Sequence, residues 1–197
     1  MLEIENLKFS YGNHPVLRAF SLSVPEHGVH VLMGPSGCGK STLLSLIAGL
    51  IRPVGGSLVC HAKKISYSFQ EPRLLPWMNT ADNVNFVLGG KGETLPKAEE
   101  ALSELGLGNS LKKFPSELSG GMKKRVSLAR AFAYDGDFLL LDEPTNGLDS
   151  ETKEKIILKI AEIGKNTPVL MITHNEDDAK KCADNIFLFD ECEKQGG

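Results

Sequence analysis

The chain has 197 residues, of which 41% are hydrophobic and 24% are charged, as is typical of one globular domain or one domain with an insert. This composition excludes a disordered, a collagen-like or a disulfide-scaffold protein. The formal net charge is −3, so no broad basic field is available for nucleic acid or an anionic membrane surface. Any anion that binds must therefore be held by a local arrangement of donors.

No segment predicts insertion into a membrane or secretion. The longest apolar stretch, residues 43–51, contains Ser45 and Gly49 and falls far short of the roughly 20 apolar residues of a transmembrane helix. Residues 1–5 are acidic and alternating, whereas a secretory signal is basic and then apolar. The four cysteines form no CxxC pair, which favours a reduced, intracellular environment.

Hydrophobic periodicity predicts strands that alternate with helices, interrupted by one long helical stretch. In chain order we predict strands at 2–9, 16–24 and 29–33, a helix at 40–50, strands at 57–60 and 64–69, a helical segment at 72–133, a strand at 138–141, a helix at 151–163 and strands at 169–173 and 186–189. The first two strands would form an antiparallel hairpin. The later alternation predicts an α/β fold with a mostly parallel sheet.

Residues 34–41 match the pattern G-x4-G-K-[ST] between a predicted strand and a predicted helix, which is the context that a phosphate-binding loop requires. Glycines let backbone N–H groups turn towards phosphate oxygens, and the helix start adds partial positive charge. Lys40 would reach the β- and γ-phosphates, and the Ser41 hydroxyl would bind Mg²⁺. A dinucleotide site is disfavoured because the glycines are spaced GxxGxG. We interpret Cys38 as a small residue filling the loop rather than a reactive thiol.

Two later strands are predicted to end in groups that suit phosphate chemistry. Residues 138–141 form an apolar run followed by Asp142 and Glu143, at the strand end where open α/β sheets bind ligands. Asp142 suits a Mg²⁺ shell, and Glu143 suits polarising the attacking water. His174 follows the strand at 169–173, so we expect it at the same edge of the sheet.

Residues 118–122 read Leu-Ser-Gly-Gly-Met at the start of a predicted helix at 123–133. Ser119 is a good N-cap, and the two glycines leave N–H groups bare at a positive helix end. This is a second phosphate site without charged side chains. Two phosphate-binding helix starts far apart in one sequence predict a nucleotide held between two copies of the domain.

The sequence resembles the nucleotide-binding subunit of ABC transporters over its whole length. The motifs follow the family's order: Tyr11 for adenine stacking, residues 34–42 for Walker A, Gln70 for the Q-loop, residues 118–122 for the signature, residues 138–143 for Walker B, residues 147–149 for the D-loop and His174 for the H-loop. The signature separates this family from GTPases and small-molecule kinases, which share only Walker A.

The resemblance implies an ATPase that uses ATP and Mg²⁺, with a role for each motif residue. ATP would contact Tyr11, Gly34, Pro35, Ser36, Gly37, Cys38, Gly39, Lys40, Ser41 and Thr42; Mg²⁺ would be bound by Ser41, Gln70 and Asp142; hydrolysis would use Glu143, His174 and Gln70; and Ser119, Gly120, Gly121 and Asp149 would reach the ATP of a second subunit.

The implied fold is α/β: a P-loop NTPase with a mostly parallel core sheet, an N-terminal antiparallel β subdomain and an inserted helical subdomain. Residues 1–197 would form a single domain, with a core lobe at about 1–71 and 134–197 and a helical lobe at about 72–133. The implied partners are a second ATPase subunit in a head-to-tail homodimer, transmembrane permease subunits and, indirectly, a solute-binding receptor, with no nucleic acid. The implied location is peripheral, at the cytoplasmic face of the cell membrane.

Residues 70–77 are similar to importer ATPases for nitrate, sulfonate, taurine and related solutes, including thiamine precursors. Residues 143–147 look more like other ABC classes, and Lys124 stands where that helix usually carries glutamine. An exporter or cell-division ATPase therefore stays open as an alternative. A soluble ABC ATPase acting on nucleic acid is disfavoured by the short chain. The chain ends seven residues after Asp190, so we expect it to lack the C-terminal regulatory domain of some importer ATPases.

Overall fold

The computed structural model describes residues 1–189; Asp190, Cys192 and the end of the predicted core lobe lie outside the described residues. The strands are β1 (Leu2–Tyr11), β2 (His14–Val24), β3 (Val29–Met33), β4 (Gly55–Cys60), β5 (Ile65–Ser68), β6 (Phe138–Asp142), β7 (Val169–Ile172) and β8 (Asn185–Leu188). The helices are α1 (Lys40–Ile47), α2 (Thr80–Asn85), α3 (Leu95–Glu104), α4 (Gly120–Tyr134), α5 (Ser150–Gly164) and α6 (Glu176–Cys182).

The strands form two sheets of different kinds. A three-stranded sheet has the order β2-β1-β4 and is antiparallel throughout. A five-stranded sheet has the order β5-β6-β7-β3-β8, and each pair of neighbours in it is parallel. The structure thus confirms the predicted α/β fold with a parallel core sheet and an N-terminal antiparallel unit.

The three central strands of the parallel sheet, β3, β6 and β7, are almost wholly apolar and are buried on both faces, whereas the edge strand β8 is largely exposed. Successive side chains of a strand point to opposite faces. Leu139 and Leu141 of β6 therefore join the hydrophobic cluster that the helices α2 to α6 complete, whereas Phe138 and Leu140 join the cluster formed with β1, β2 and α1. The carboxyl ends of these strands are left at one edge of the sheet, where the candidate site lies.

The segment predicted as a helical lobe contains α2, α3 and α4, joined by short 3₁₀ turns. Helix α4 contacts α2 and α3 and also packs against β5 of the parallel sheet. The proposed lobe boundaries at 71/72 and 133/134 stay predictions. Within residues 1–189, no helix combines the length and apolar character that a membrane span needs.

Three of the differences from the sequence predictions have a clear local cause. Helix α1 ends at Ile47 instead of residue 50, because the chain turns at Gly49, which adopts φ 70°. Helix α4 begins at Gly120 instead of residue 123, because Ser119 caps it. Helix α6 was not predicted from periodicity, because its seven residues are mostly charged.

Candidate nucleotide site

The loop between β3 and α1 depends on glycine at several positions. Gly39, directly before α1, adopts φ 106°, and a Cβ there would lie 2.6 Å from Val16 Cγ1. Gly37 adopts φ 80°. A Cβ on Gly34 would lie 2.8 Å from the carbonyl oxygen of Phe189. The glycine pattern therefore follows from left-handed backbone and from close packing against β2 and the end of β8.

The same loop folds around the ammonium group of Lys40. Lys40 Nζ donates to the carbonyl oxygens of Gly34 and Pro35 at 2.7 and 2.6 Å. The buried Cys38 thiol donates to the Pro35 carbonyl at 2.8 Å. This packing supports the interpretation of Cys38 as a residue that fills the loop.

A cleft of about 410 Å³ opens beside this loop. The cleft is lined by Tyr11, Val16, Ser36, Gly37, Gly39, Lys40, Ser41, Thr42, Gln70, Asp142, Glu143 and Ile172. The structure thus brings together residues from four separate sequence motifs. Val16 and Ile172 were not predicted, because nothing distinguishes them in sequence from other apolar strand residues. Of the predicted loop residues, Gly34, Pro35 and Cys38 belong to the loop itself and do not line the cleft.

Tyr11 stands at the end of β1, is 56% exposed and lines the cleft. Its ring makes an edge-to-face contact with the Phe9 ring, with centroids 4.8 Å apart and ring planes at 88°. An exposed aromatic residue beside the loop is what stacking on a nucleobase requires.

Asp142 is the last residue of β6 and is 3% exposed. Burial raises the pKa of Asp142, and the Glu143 charge adds to the rise, whereas a hydrogen bond with Ser41 and the charges of Lys124 and Lys40 oppose it. A cation bound nearby would stabilise the negatively charged Asp142 carboxylate and so lower its pKa again.

The oxygen donors at this point fit Mg²⁺. Within the described residues, Asp142 Oδ1 is buried and has no hydrogen-bond partner, and Ser41 and Gln70 line the cleft with it. Mg²⁺ prefers oxygen ligands and is commonly held by one or two carboxylates together with substrate phosphates. A cluster of acidic side chains is therefore not required, and residues 1–189 contain no group of three or more His, Cys, Asp and Glu side chains suited to a metal.

The backbone changes direction at Glu143, the residue that follows Asp142. It adopts φ 50°, in the left-handed region, while its N–H donates to the Ile172 carbonyl at 3.0 Å. Left-handed backbone at a non-glycine residue costs about 1 kcal/mol or more and is concentrated at functional sites. Glu143 Oε2 lies 2.9 Å from His174 Nδ1, with the histidine side chain 63% exposed. The predicted acid and histidine are therefore in direct contact.

Two contacts that sequence analysis did not predict hold the segments on either side of this pair. Asn175, next to His174, caps α6 by accepting hydrogen bonds from the N–H groups of Asp177 and Asp178. The Thr145 hydroxyl donates to the buried Asp178 carboxylate at 2.6 Å. The chain after Glu143 is thus tied to the helix after His174.

The signature residues lie apart from the cleft. Ser119 Oγ accepts from the Met122 N–H at 3.3 Å, which starts α4 at Gly120. Asp149 caps α5 by accepting from Thr152 N and Oγ1 at 3.0 and 2.7 Å. A Cβ on Gly121 would lie 3.4 Å from Leu148, so the signature and the segment before Asp149 are neighbours. None of the four residues predicted to reach a second ATP lines the cleft.

A family model described as ABC transporter matches residues 17–146, which span the phosphate loop, the signature and the carboxylates. The chain belongs to the ABC transporter family.

Curated ABC relatives are similar over nearly the whole chain. An aliphatic sulfonates import ATP-binding protein, SsuB 3 of Pseudomonas syringae pv. tomato, is 40% identical over 96% of this chain and 73% of its own length. The corresponding SsuB of Pseudomonas fluorescens is 39% identical over 98% of this chain and 74% of its own length.

Among solved structures, this ABC subunit is similar to a dimeric post-hydrolysis state of the ATP-binding cassette MJ0796 bound to ADP and Pi. The TM-score is 0.89 at 27% identity, covering 97% of this chain and 95% of that one. The fold expected of an ABC cassette is thereby confirmed. The chain is an ATP-binding ATPase subunit of this family.

Proposed function

We propose that this subunit hydrolyses ATP to energise an importer of sulfonates or related small solutes such as taurine or nitrate. The observation on which the hydrolytic assignment rests is that Glu143, which lines the same cleft as the phosphate loop, contacts His174. The import and solute assignments are supported by the relatives named as aliphatic sulfonates import ATP-binding proteins and by the similarity of residues 70–77.

Phosphate binding would be divided between backbone and side chains. N–H groups of the loop and the start of α1 would face the phosphate oxygens, and Lys40 and Ser41 in the cleft would bind them from one side. The Tyr11 ring, exposed beside the loop, would stack on the adenine. When bound by Ser41, Gln70 and Asp142, Mg²⁺ supplies positive charge that stabilises the γ-phosphate in the transition state.

Glu143 would orient the attacking water, and His174 would hold the carboxylate in place. The 2.9 Å contact fixes Glu143 Oε2 from one side, and the hydrogen bond from Glu143 N to Ile172 fixes its backbone. Phosphoryl transfer requires little covalent chemistry from the protein, so positioning and electrostatic stabilisation account for most of the catalysis.

The second phosphate site, at the start of α4, would bind the ATP of a partner cassette. Ser119, Gly120 and Gly121 present an exposed helix start beside the segment that leads to Asp149. Solved relatives described as dimeric cassettes support a head-to-tail homodimer in which these residues complete the opposite site. ATP binding would then close the dimer, and hydrolysis would reopen it.

The remaining partners would be transmembrane permease subunits, with a solute-binding receptor engaged through them. Trp77 and Phe86 are 70% and 56% exposed, and exposed aromatic side chains are common anchors at protein interfaces. A permease helix docking there would place the subunit peripherally at the cytoplasmic face of the cell membrane. No nucleic acid partner is proposed.

The hydrolytic role is tested with Glu143→Gln. Loss of a water-orienting base should lower ATP turnover by at least about 100-fold, while the dissociation constant for ATP changes little. Glu176→Gln is the matched control, because Glu176 lies two residues after His174 but forms an exposed ion pair with Lys180. Near-normal turnover of Glu143→Gln would remove Glu143 from the proposed role.

The solute is tested in liposomes containing the permease subunits that co-purify with this chain. We expect an alkanesulfonate or taurine, added with its receptor on the side opposite the ATPase, to raise ATP turnover and to accumulate on the same side as the ATPase. If nitrate alone raises ATP turnover, the solute is nitrate and not a sulfonate, which is still within the proposed group. Export of solute from the ATPase side would replace the importer assignment.

A further inference from the structure

Lys124 is a buried lysine at the junction of three functional segments. It lies in the second turn of α4 and is 5% exposed. Its Nζ donates to the carbonyl oxygens of Phe69, Gln70 and Asp142 at 3.2, 3.1 and 3.2 Å. An ammonium group has three donors, so these carbonyls satisfy all of them.

The three carbonyls belong to segments with different proposed roles. Phe69 and Gln70 begin the loop that leads from β5 to α2, and Asp142 ends β6 directly before Glu143. Lys124 therefore joins the loop of Gln70, the strand end of the carboxylates and the helix that begins at the signature. No residue of the phosphate loop is among its hydrogen-bond partners.

The burial of the Lys124 ammonium group requires compensating hydrogen bonds. Burial lowers the pKa of Lys124 to about 8, and the carboxylates of Asp142 and Glu143 oppose that change. A buried cation is expensive unless it is fully hydrogen-bonded, and here the carbonyls supply the bonds. A glutamine would have a shorter side chain and only two N–H donors, so it could not bridge the three carbonyls in the same way.

A second basic residue of α4 holds the far end of the same loop. Arg130 donates from Nη1 to the Arg73 carbonyl at 3.1 Å and from Nη2 to the Pro72 carbonyl at 3.0 Å. The Arg73 guanidinium in turn lies 4.0 Å from the centre of the Phe69 ring. The loop at 69–73 is thus attached to α4 at both ends and is expected to move with it.

We propose that Lys124 is a positioning residue for ATP hydrolysis, which fixes the loop of Gln70 and the strand end of Asp142 and Glu143 at one spacing through their backbone carbonyls. This proposal rests on the proposed function, because it uses the roles assigned there to Gln70 and Glu143. A displacement of α4, which begins at the signature, would be transmitted through Lys124 to the catalytic groups. Turnover should therefore depend on Lys124, and ATP affinity should not.

The test compares Lys124→Met, which has similar length and no donors, with Lys124→Gln, which keeps two donors. We expect kcat to fall about 10-fold in Lys124→Met and about 3-fold in Lys124→Gln, since displacement of a catalytic group by 1 Å can cost far more. The KM and the dissociation constant for ATP should stay within about 2-fold of wild type, because the phosphate loop is untouched.

Lys64→Met is the matched control. Lys64 Nζ donates to the carbonyls of Tyr134 and Asp135, so its loss removes a lysine contact with the other end of α4, away from the cleft. Its kcat should stay within about 2-fold of wild type, since interactions this remote act independently. Thermal unfolding of each variant shows whether the two changes disturb the fold equally.

The outcomes separate this proposal from the function on which it rests. Three results would overturn the positioning role. The kcat of Lys124→Met could equal that of wild type, or a rise in KM could account for the whole loss of kcat/KM in Lys124→Met. The third is a kcat loss in Lys64→Met equal to that in Lys124→Met. If Lys124→Met does not fold, unchanged kcat in Lys124→Gln overturns it. If Glu143→Gln retains turnover, the proposed catalytic assignment itself fails. Inactive Glu143→Gln with fully active Lys124→Met rejects only the role of Lys124.

Discussion

Two helices of this protein begin at glycine-rich turns, and their surroundings differ. Helix α1 starts at Lys40, inside a cleft that also contains Ser41, Asp142 and Glu143. Helix α4 starts at Gly120, with an exposed Ser119 as its cap. The start of α4 is not part of the cleft, and its first turn has no acidic side chain.

Under the proposed function, this difference would explain why the start of α1 binds nucleotide within one chain and the start of α4 needs a second chain. Each helix end provides N–H groups and partial positive charge, which is a weak attraction for phosphate when it is exposed to water. At α1 the loop, a lysine and the proposed Mg²⁺ ligands would add to this attraction. At α4 the missing contacts would have to come from ATP already bound by a partner, so ATP binding and dimer closure are expected to be separable.

The largest expected effect on ATP binding is that of Lys40→Met. The variant loses charge-assisted hydrogen bonds to two phosphates, so its dissociation constant for ATP should rise about 100-fold, since each such bond contributes about 1.5–3 kcal/mol. Fluorescent ATP titration measures this. Binding within 3-fold of wild type would mean that Lys40, whose Nζ bonds to the Gly34 and Pro35 carbonyls, acts only within the loop.

Ser119→Arg tests the other helix start. A bulky cation there should leave the dissociation constant for ATP unchanged but lower turnover roughly 30-fold, because loss of donors aimed at a transition state costs this much or more. Light scattering of the Glu143→Gln background with Mg-ATP should show dimers, and the added Ser119→Arg should keep it monomeric. Ser116→Arg, at an exposed position in the preceding turn, is the control. Equal turnover in Ser119→Arg and wild type would contradict the second phosphate site.

Glycine-to-alanine changes at the two helix starts should differ in their effect on the free energy of unfolding. Gly39→Ala combines left-handed backbone with a Cβ 2.6 Å from Val16, so it should lower the free energy of unfolding by about 1–2 kcal/mol. Nothing lies within 4 Å of a Cβ on Gly120, so Gly120→Ala should leave stability unchanged or raise it by about 0.5 kcal/mol. Urea unfolding of both variants measures this, and an equal loss in the two would show that the backbone argument is wrong.

The motifs predicted from sequence were local patterns, and the structure places residues of several of them around one cleft. The loop at 34–41, the strand ending at Asp142 and the strand before His174 were recognisable because a few adjacent residues fix their local geometry. The contact of Glu143 with His174 followed from both lying at ends of neighbouring parallel strands. The left-handed backbone of Glu143 was not predicted, because nothing in a glutamate side chain signals it.

Long-range polar contacts were likewise invisible in the sequence. Lys124 was noted only as a departure from glutamine, yet its ammonium joins backbone atoms that are 54 and 18 residues away. Thr145 also read as a departure, and its hydroxyl proved to bind Asp178, 33 residues away. Such partners are chosen by the packing of α4 and α6 and not by neighbouring residues.

The sequence by itself determined the class of fold, the phosphate loop and the identity of the acidic and histidine groups, because periodicity and motif spacing act over a few residues. Only the tertiary structure decided that one cleft joins Tyr11, the loop and the carboxylates while the signature lies apart, and that Lys124 links the Gln70 loop to the strand that ends in Asp142. The physical reason is that strand order and helix packing bring distant backbone atoms within hydrogen-bonding distance, which no local pattern specifies.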